Sequence, residues 1–189
     1  MDARERRLLE LLRDRSYEER QVVLSSGKKS SYYIDGKQTT LYPEGAYLIG
    51  ELFFERIHSL QEPVEAVGGP TLGADPIVTA VSIVSHLKGM PLPGFIVRKE
   101  PKKHGTRQWI EGEKSLRAGA RVALVEDVIT TGGSLMKAVR VVRELGYQVA
   151  VVGVLLDRLE GGREVVEAEK IPFFSLFTVK DLKRADKGG

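Results

Sequence analysis

The chain has 189 residues, 42% of them hydrophobic and 29% charged, with no cysteine and three histidines. A domain of this size buries roughly 70% of its unfolded surface without covalent staples. The missing cysteines exclude a disulfide scaffold, a thiolate metal site and a cysteine nucleophile. His58, His86 and His104 are too scattered for a histidine cage. The net charge of +3 gives no broad basic character of the kind that nucleic acid selects. The N-terminal segment lacks a secretory pattern, and no apolar run reaches the length of a membrane span. A soluble, cytoplasmic protein that binds neither nucleic acid nor membrane is expected.

Leu8, Leu9, Leu11 and Leu12 recur at helical spacing among charges, which predicts an amphipathic helix over residues 3–14. The apolar run Tyr32–Ile34, flanked by glycines and small polar residues, predicts a strand or hairpin. Ala46, Ile49, Leu52, Phe53 and Ile57 predict a helix over 44–60. VEAVGG (64–69) reads as a strand ending in a glycine turn, residues 75–88 as a helix with Asp75 as its N-cap, and GFIV (94–97) as another strand. RVALVE (121–126) is a mostly apolar strand. Leu135, Ala138, Val139, Val142 and Leu145 then form a helical stripe that Gly146 closes, before the apolar strand 148–157. Two apolar strands joined by a helix make a βαβ unit with a parallel sheet covered on both faces. The fold class is α/β, a single domain over 1–189, and the polar tail KDLKRADKGG is expected to fray.

VALVEDVITTGGSL (122–135) carries the most chemistry. A strand delivers Glu126 and Asp127 to the carboxyl edge of the sheet, where ligands of open α/β folds bind. Val128 and Ile129 follow, and then Thr130, Thr131, Gly132, Gly133 and Ser134 lead into a helix. Glycines let successive backbone N–H groups turn onto one anion, the hydroxyls add donors, and the helix N-terminus adds partial positive charge. The pattern suits a phosphate monoester, with the two acids accepting from sugar hydroxyls or lying near a metal. Neither a Walker loop nor a dinucleotide fingerprint is present.

EDVITTGGS resembles the phosphoribosyl-pyrophosphate motif of type I phosphoribosyltransferases. The resemblance implies that Glu126 and Asp127 contact the ribose hydroxyls, that Thr130–Ser134 hold the 5′-phosphate, and that Val128 and Ile129 also line the phosphoribosyl-pyrophosphate site. Residues 98–107 hold five Lys/Arg (Arg98, Lys99, Lys102, Lys103 and Arg107), one histidine and one acid. Arg98, Lys99, Lys102, His104 and Gly105 match the R-K-x-x-K-x-H-G loop of orotate phosphoribosyltransferases. That match implies a loop closing over the partner subunit's site in a homodimer, with Lys102 and Asp127 catalytic, and Arg98, Lys99 and His104 on the pyrophosphate. Lys103 and Arg107 lie off the pattern.

Three more segments fit. SSGKKSSYYIDGK (25–37) resembles the hood over the base, which residues 1–40 would form. Relatives have a lysine where Ser25 stands, so Lys28 or Lys29 is a candidate replacement, and Tyr32 and Tyr33 are base contacts or plain strand aromatics. GGPTLGADP (68–76) resembles the pyrophosphate loop without its lysine. Thr71, Leu72 and Gly73 offer backbone N–H groups, and a strained, cis peptide is expected there. LLDRLEGG resembles the D-R-x-E segment, which makes Arg158, beside Thr130, the orotate-binding residue, since a guanidinium fork suits a carboxylate and ring carbonyls. An Asp157–Arg158 ion pair is the plain structural alternative.

The implied reaction converts orotate and phosphoribosyl pyrophosphate to orotidine 5′-monophosphate and pyrophosphate in pyrimidine biosynthesis. Mg²⁺ would be held mainly by substrate oxygens and water, with no protein cage. The rival readings are a transferase for a purine base and a non-catalytic, RNA-binding regulator that keeps the nucleotide site.

Overall fold

A computed structural model describes residues 1–23, 29–102 and 108–183. Helix α1 (Ala3–Ser16) starts on a capping box: Asp2 accepts from the Glu5 backbone N–H at 2.9 Å, and the Glu5 carboxylate accepts from the Asp2 N–H at 2.8 Å. Four two-residue strands follow, β1 (Tyr17–Glu18), β2 (Val22–Val23), β3 (Lys29–Ser30) and β4 (Tyr33–Ile34). They pair antiparallel as β1–β4 and β2–β3. The expected strand at Tyr32–Ile34 is therefore present, with β1 as its partner.

The short α2 (Lys37–Thr40) leads to α3 (Pro43–His58), which opens with proline where its missing N–H is harmless. Next come β5 (Ala66–Pro70), α4 (Ala74–Leu87), β6 (Gly94–Val97) and β7 (Ile110–Glu111). The second half contains β8 (Arg121–Ile129), α5 (Gly133–Glu144), β9 (Gln148–Asp157), α6 (Gly162–Ala168), β10 (Phe173–Thr178) and α7 (Val179–Lys183).

The main sheet runs β10-β9-β8-β5-β6-β7. All its pairings are parallel except β6–β7, so the expected parallel sheet carries one antiparallel edge strand. Helices cover both faces, and the strand sequences show why. In β8, Ala123 and Val125 enter one core cluster with α1, α3 and α4, while Val122 and Leu124 enter the other with α5. Successive side chains point to opposite faces, so a strand buried on both sides must be continuously apolar.

Some boundaries and several elements depart from the sequence expectation. β8 continues to Ile129 rather than ending at Glu126, because Val128 and Ile129 keep their pairing with β9. Leu145 is the C-cap of α5 and 40% exposed instead of extending the apolar stripe, whereas Gly146 adopts φ +84° as expected of a closing glycine. α2, β7, α6, β10 and α7 go beyond the predicted elements. The tail does not fray at once: Asp181 accepts from Thr178 N and Oγ1 at 2.8 and 2.7 Å, Leu182 is buried, and Arg13 of α1 donates to the carbonyls of Asp181 and Leu182. Residues 184–189 of that tail lie outside the described residues. Among the described residues no helix is long and apolar enough to cross a membrane.

Candidate functional site

The sheet reverses direction of winding between β5 and β8: β5 is followed by β6 on one side, β8 by β9 on the other. Such a switch point opens a crevice at the carboxyl ends of the strands. The β5–β8 register ends at Gly68 opposite Leu124, and the next outward-reaching residues of β8 are Glu126 and Asp127. These carboxylates lie inside the strand rather than beyond its end, still in register with β9, and are 6% and 7% exposed.

Three segments distant in sequence meet there. A Cβ on Gly73, in the turn after β5, would overlap Glu126 Oε1 and Asp127 Oδ1. A Cβ on Gly36, after β4, would lie 2.9 Å from Asp127 Oδ2. Bare backbone therefore walls the carboxylates on two sides. Asp127 Oδ1 accepts from the Val128 N–H at 2.8 Å, and the Ser134 hydroxyl lies 3.5 Å from Glu126 Oε2. Burial, and then the neighbouring charge of Asp127, push the Glu126 carboxyl well above the usual carboxylate range.

The predicted phosphate turn stands open above this pair. Thr130 is half-buried, Thr131, Gly133 and Ser134 are exposed, and Gly132 turns the chain at φ +80°. α5 begins at Gly133, one residue earlier than the turn was expected to end, and no side chain caps it. Its first-turn N–H groups and partial positive charge therefore face an open turn.

Arg158 lies just past β9, with its backbone N–H donated to the Ile129 carbonyl at 3.1 Å. Its side chain is 5% exposed, with Nε 3.0 Å from Glu160 Oε1. The expected alternative partner, Asp157, instead accepts from the Leu159 N–H at 2.7 Å. Arg158 Nη2 is buried and has no hydrogen-bond partner among the described residues. The guanidinium stands 4.9 Å from the Tyr32 ring centroid, Lys183 Nζ stands 4.2 Å from the same centroid, and Tyr17 stacks on Tyr32 at 5.9 Å. Tyr33 instead meets Arg20, at 4.5 Å. Of the two tyrosines, Tyr32 is thus the one that borders Arg158.

On the far side of the sheet, Arg98 and Lys102 share one acceptor. Arg98 Nη1 lies 2.8 Å and Lys102 Nζ 3.0 Å from Glu111 Oε1. Lys102, followed by Arg98, holds the Glu111 carboxyl below the usual range. The Lys99 carbonyl accepts from Lys137 Nζ at 2.7 Å. Glu111 was not singled out from sequence, and its place opposite Ile96 on β7 carries no short-range signal. Lys103, His104, Gly105 and Arg107 lie outside the described residues, as do Ser25 and Lys28.

The turn after β5 needs two corrections. Asp75 is not the N-cap of α4. Gly73 holds that position, and Asp75 lies inside the first turn, accepting from Thr71 Oγ1 at 2.9 Å. The Thr71 N–H is not a free anion donor, because β6 extends alongside and its Val97 carbonyl accepts it at 3.0 Å. The Thr71–Leu72 peptide is cis, as the resemblance led us to expect.

Lys37 was also missed from sequence. Its ammonium lies 2.7 Å from Asp35 Oδ1 and 3.7 Å from Asp127 Oδ2. Partial burial lowers its pKa, but the Asp35 hydrogen bond and the Asp127 charge outweigh that and leave it raised.

The phosphoribosyl transferase domain family matches residues 38–178. The orotate phosphoribosyltransferase of Sorangium cellulosum is 49% identical over 93% of this chain and 91% of its own length. The chain belongs to the orotate phosphoribosyltransferase family. It is accordingly an enzyme of the phosphoribosyl-transferring class. A crystal structure of the Mycobacterium tuberculosis orotate phosphoribosyltransferase with Fe(III) dicitrate superposes with a TM-score of 0.82 at 40% identity, covering 95% of this chain and 98% of that one. The same relative in complex with 5-phospho-alpha-D-ribosyl 1-diphosphate gives 0.78 at 38% identity, covering 95% and 99%. Orotate phosphoribosyltransferases thus share both the sequence and the fold, a mostly parallel six-stranded sheet between helices.

Proposed function

We propose that this chain transfers the 5-phosphoribosyl group from phosphoribosyl pyrophosphate to orotate, giving orotidine 5′-monophosphate and pyrophosphate in pyrimidine biosynthesis. A ring nitrogen of the orotate anion forms the new bond to ribose C1, and the C1–oxygen bond breaks with its electron pair leaving on the diphosphate. The observation that carries this reading is the buried, partnerless Nη2 of Arg158 beside Tyr32 and the Thr130 turn. A buried donor without an acceptor is costly, and a ligand carboxylate or carbonyl would satisfy it. A purine can offer a ring carbonyl or nitrogen but no carboxylate, and a guanidinium pairs most strongly with a carboxylate.

In this reading Thr130, Thr131, Gly132, Gly133 and Ser134, with the backbone of Val128 and Ile129, hold the 5′-phosphate at the start of α5. Glu126 and Asp127 take the ribose hydroxyls. Arg158 and Thr130 bind orotate beneath the hood, residues 1–40 of a single domain. Arg98, Lys99, Lys102 and His104 bind the diphosphate and neutralise the charge that develops on it, with Lys102 and Asp127 nearest the reacting bond. The binding of phosphoribosyl diphosphate by the Mycobacterium tuberculosis relative supports the choice of donor.

Mg²⁺ fits this site as an ion carried in on substrate. It favours oxygen ligands and keeps much of its water. Diphosphate oxygens and water would be its main ligands. There it would spread the negative charge of the leaving group.

A homodimer sharing the 98–107 loop completes the proposal. Leu41, Leu72 and Ile83 are 68%, 62% and 56% exposed and line one hollow with Lys37 and Asp75. An apolar surface so close to the crevice suits a partner subunit.

The test mixes protein, Mg²⁺ and phosphoribosyl pyrophosphate with orotate, uracil or a purine and follows base consumption. Loss of orotate absorbance alone is the expected result. Release of pyrophosphate with a purine only would overturn the role of Arg158. No turnover, with steeply salt-dependent RNA binding, would favour the regulator instead.

A further inference from the structure

The roles above leave one well-placed cation unassigned. Lys37 opens α2 at the root of the hood, and Asp35 anchors it twice, accepting from its backbone N–H at 3.2 Å and its ammonium at 2.7 Å. Asp35 is itself steadied by Gln38 Nε2 at 3.2 Å. The ammonium is therefore held by one acid while its approach to the second, Asp127 Oδ2, stops at 3.7 Å. That separation is an ion-pair contact without a hydrogen bond. An ammonium has three donors, so Lys37 keeps donor capacity for a further anion.

Its surroundings say which anion. On one side lies Asp127, and on the other Leu72 and Asp75 line the same hollow. Lys37 thus spans the gap between the carboxylate pair and the turn after β5. That turn contains no lysine of its own. Arg98 and Lys102, the described cations assigned to the diphosphate, are occupied by Glu111. Resting on the phosphoribosyl-transfer reading, we propose that Lys37 is a fixed substrate-binding cation that takes the diphosphate of phosphoribosyl pyrophosphate beside the 71–73 turn. On substrate arrival Lys37 keeps Asp35 and exchanges its long contact with Asp127 for a phosphate oxygen. Asp127 is then released to accept from a ribose hydroxyl. A compact ammonium suits this exchange, since it binds phosphate as a point charge without a fixed approach plane.

The test compares wild type, Lys37→Ala and Lys37→Arg in steady-state turnover of orotate, with inhibition by inorganic pyrophosphate and by ribose 5-phosphate, and with Tm as a folding control. For Lys37→Ala, KM for phosphoribosyl pyrophosphate and the pyrophosphate inhibition constant should rise about ten-fold or more, the loss of one charge-assisted contact. KM for orotate and inhibition by ribose 5-phosphate should stay within about three-fold, and arginine should recover most of the loss. An unchanged pyrophosphate inhibition constant overturns the proposal. So does a shift confined to ribose 5-phosphate, which would make Lys37 a support for Asp127 alone, or an equal loss in both variants. If the wild type does not turn over orotate, the proposed function falls. Calorimetric binding of pyrophosphate with Mg²⁺ to wild type and Lys37→Ala then still decides the role of Lys37.

Discussion

Glu126 and Asp127 are buried in a central strand and walled by the backbone of Gly36 and Gly73, whereas Arg98 and Lys102 stand at the sheet edge, 38% and 44% exposed, sharing Glu111. In the proposed reading this is the sugar end of the site, and its carboxyl geometry follows from main-chain packing. At the proposed diphosphate end Arg98 and Lys102 must leave Glu111 to reach substrate, while Lys37 keeps Asp35. Rigid positioning suits the group that is retained through the reaction, and exchangeable salt bridges suit the group that departs.

Four substitutions probe that contrast, and the largest effect should come from the walled end. Gly73→Ala puts a methyl group into the space of both carboxylates. It should lower kcat/KM for phosphoribosyl pyrophosphate about 100-fold or more, as expected when a site is displaced by a fraction of an ångström, with the fold retained by circular dichroism. A variant within three-fold of wild type would show that the crevice is not rigid.

Next in size, Arg158→Ala should cut kcat/KM for orotate by about 30- to 100-fold, the weight of a charged hydrogen bond. Its KM for phosphoribosyl pyrophosphate should hold steady, which steady-state kinetics with each substrate varied would check. Equal losses for both substrates would place Arg158 in the scaffold.

Glu126→Gln tests how much stability the buried acid sacrifices. A carboxyl whose pKa is raised on folding holds its proton where the unfolded chain has lost it, so stability declines as pH rises above about 4.5 toward the higher folded value. The glutamine variant should lose that part of the decline and melt higher than wild type at pH 7, while turning over more slowly. Thermal melts from pH 5 to 8 would reveal this, and a lower Tm across that range would refute it.

The smallest effect belongs to the exposed end. Glu111→Gln loosens Arg98 and Lys102 from a solvent-exposed partner, and exposed pairs contribute little to stability. Tm should be unchanged, and KM for phosphoribosyl pyrophosphate should fall by about two- to three-fold at low salt and converge with wild type at high salt. A rise in KM would mean that Glu111 orients the cations for substrate.

The central sheet was legible in sequence wherever an element buries two faces or one clear stripe. β6, β8, α5 and β9 show this, since Gly94–Val97, 122–125 and 149–156 are near-continuous apolar runs and Gly146 marks a helix end. β7 and α2 were not, because two or four residues carry no period to read. α7 defied its polar composition through Arg13, 168 residues from Asp181 in the chain. The phosphate turn and both carboxylates could be found because they are contiguous. Lys37 and Glu111 could not, because the approach of Asp127 on β8 to Lys37, and of Arg98 and Lys102 beyond β6 to Glu111 on β7, exists only once the chain has folded.

The two glycine contacts with Asp127 and Glu126 also bear on how base preference can change. Main chain offers no side chain to trim or enlarge, so the enclosure around the two carboxylates resists retuning by point substitution at those positions. Arg158, Tyr32 and Lys183, by contrast, are side chains grouped at the hood, outside that backbone enclosure. A library confined to the hood and the end of β9 can therefore explore new acceptor bases while leaving the phosphoribosyl half of the reaction as it is.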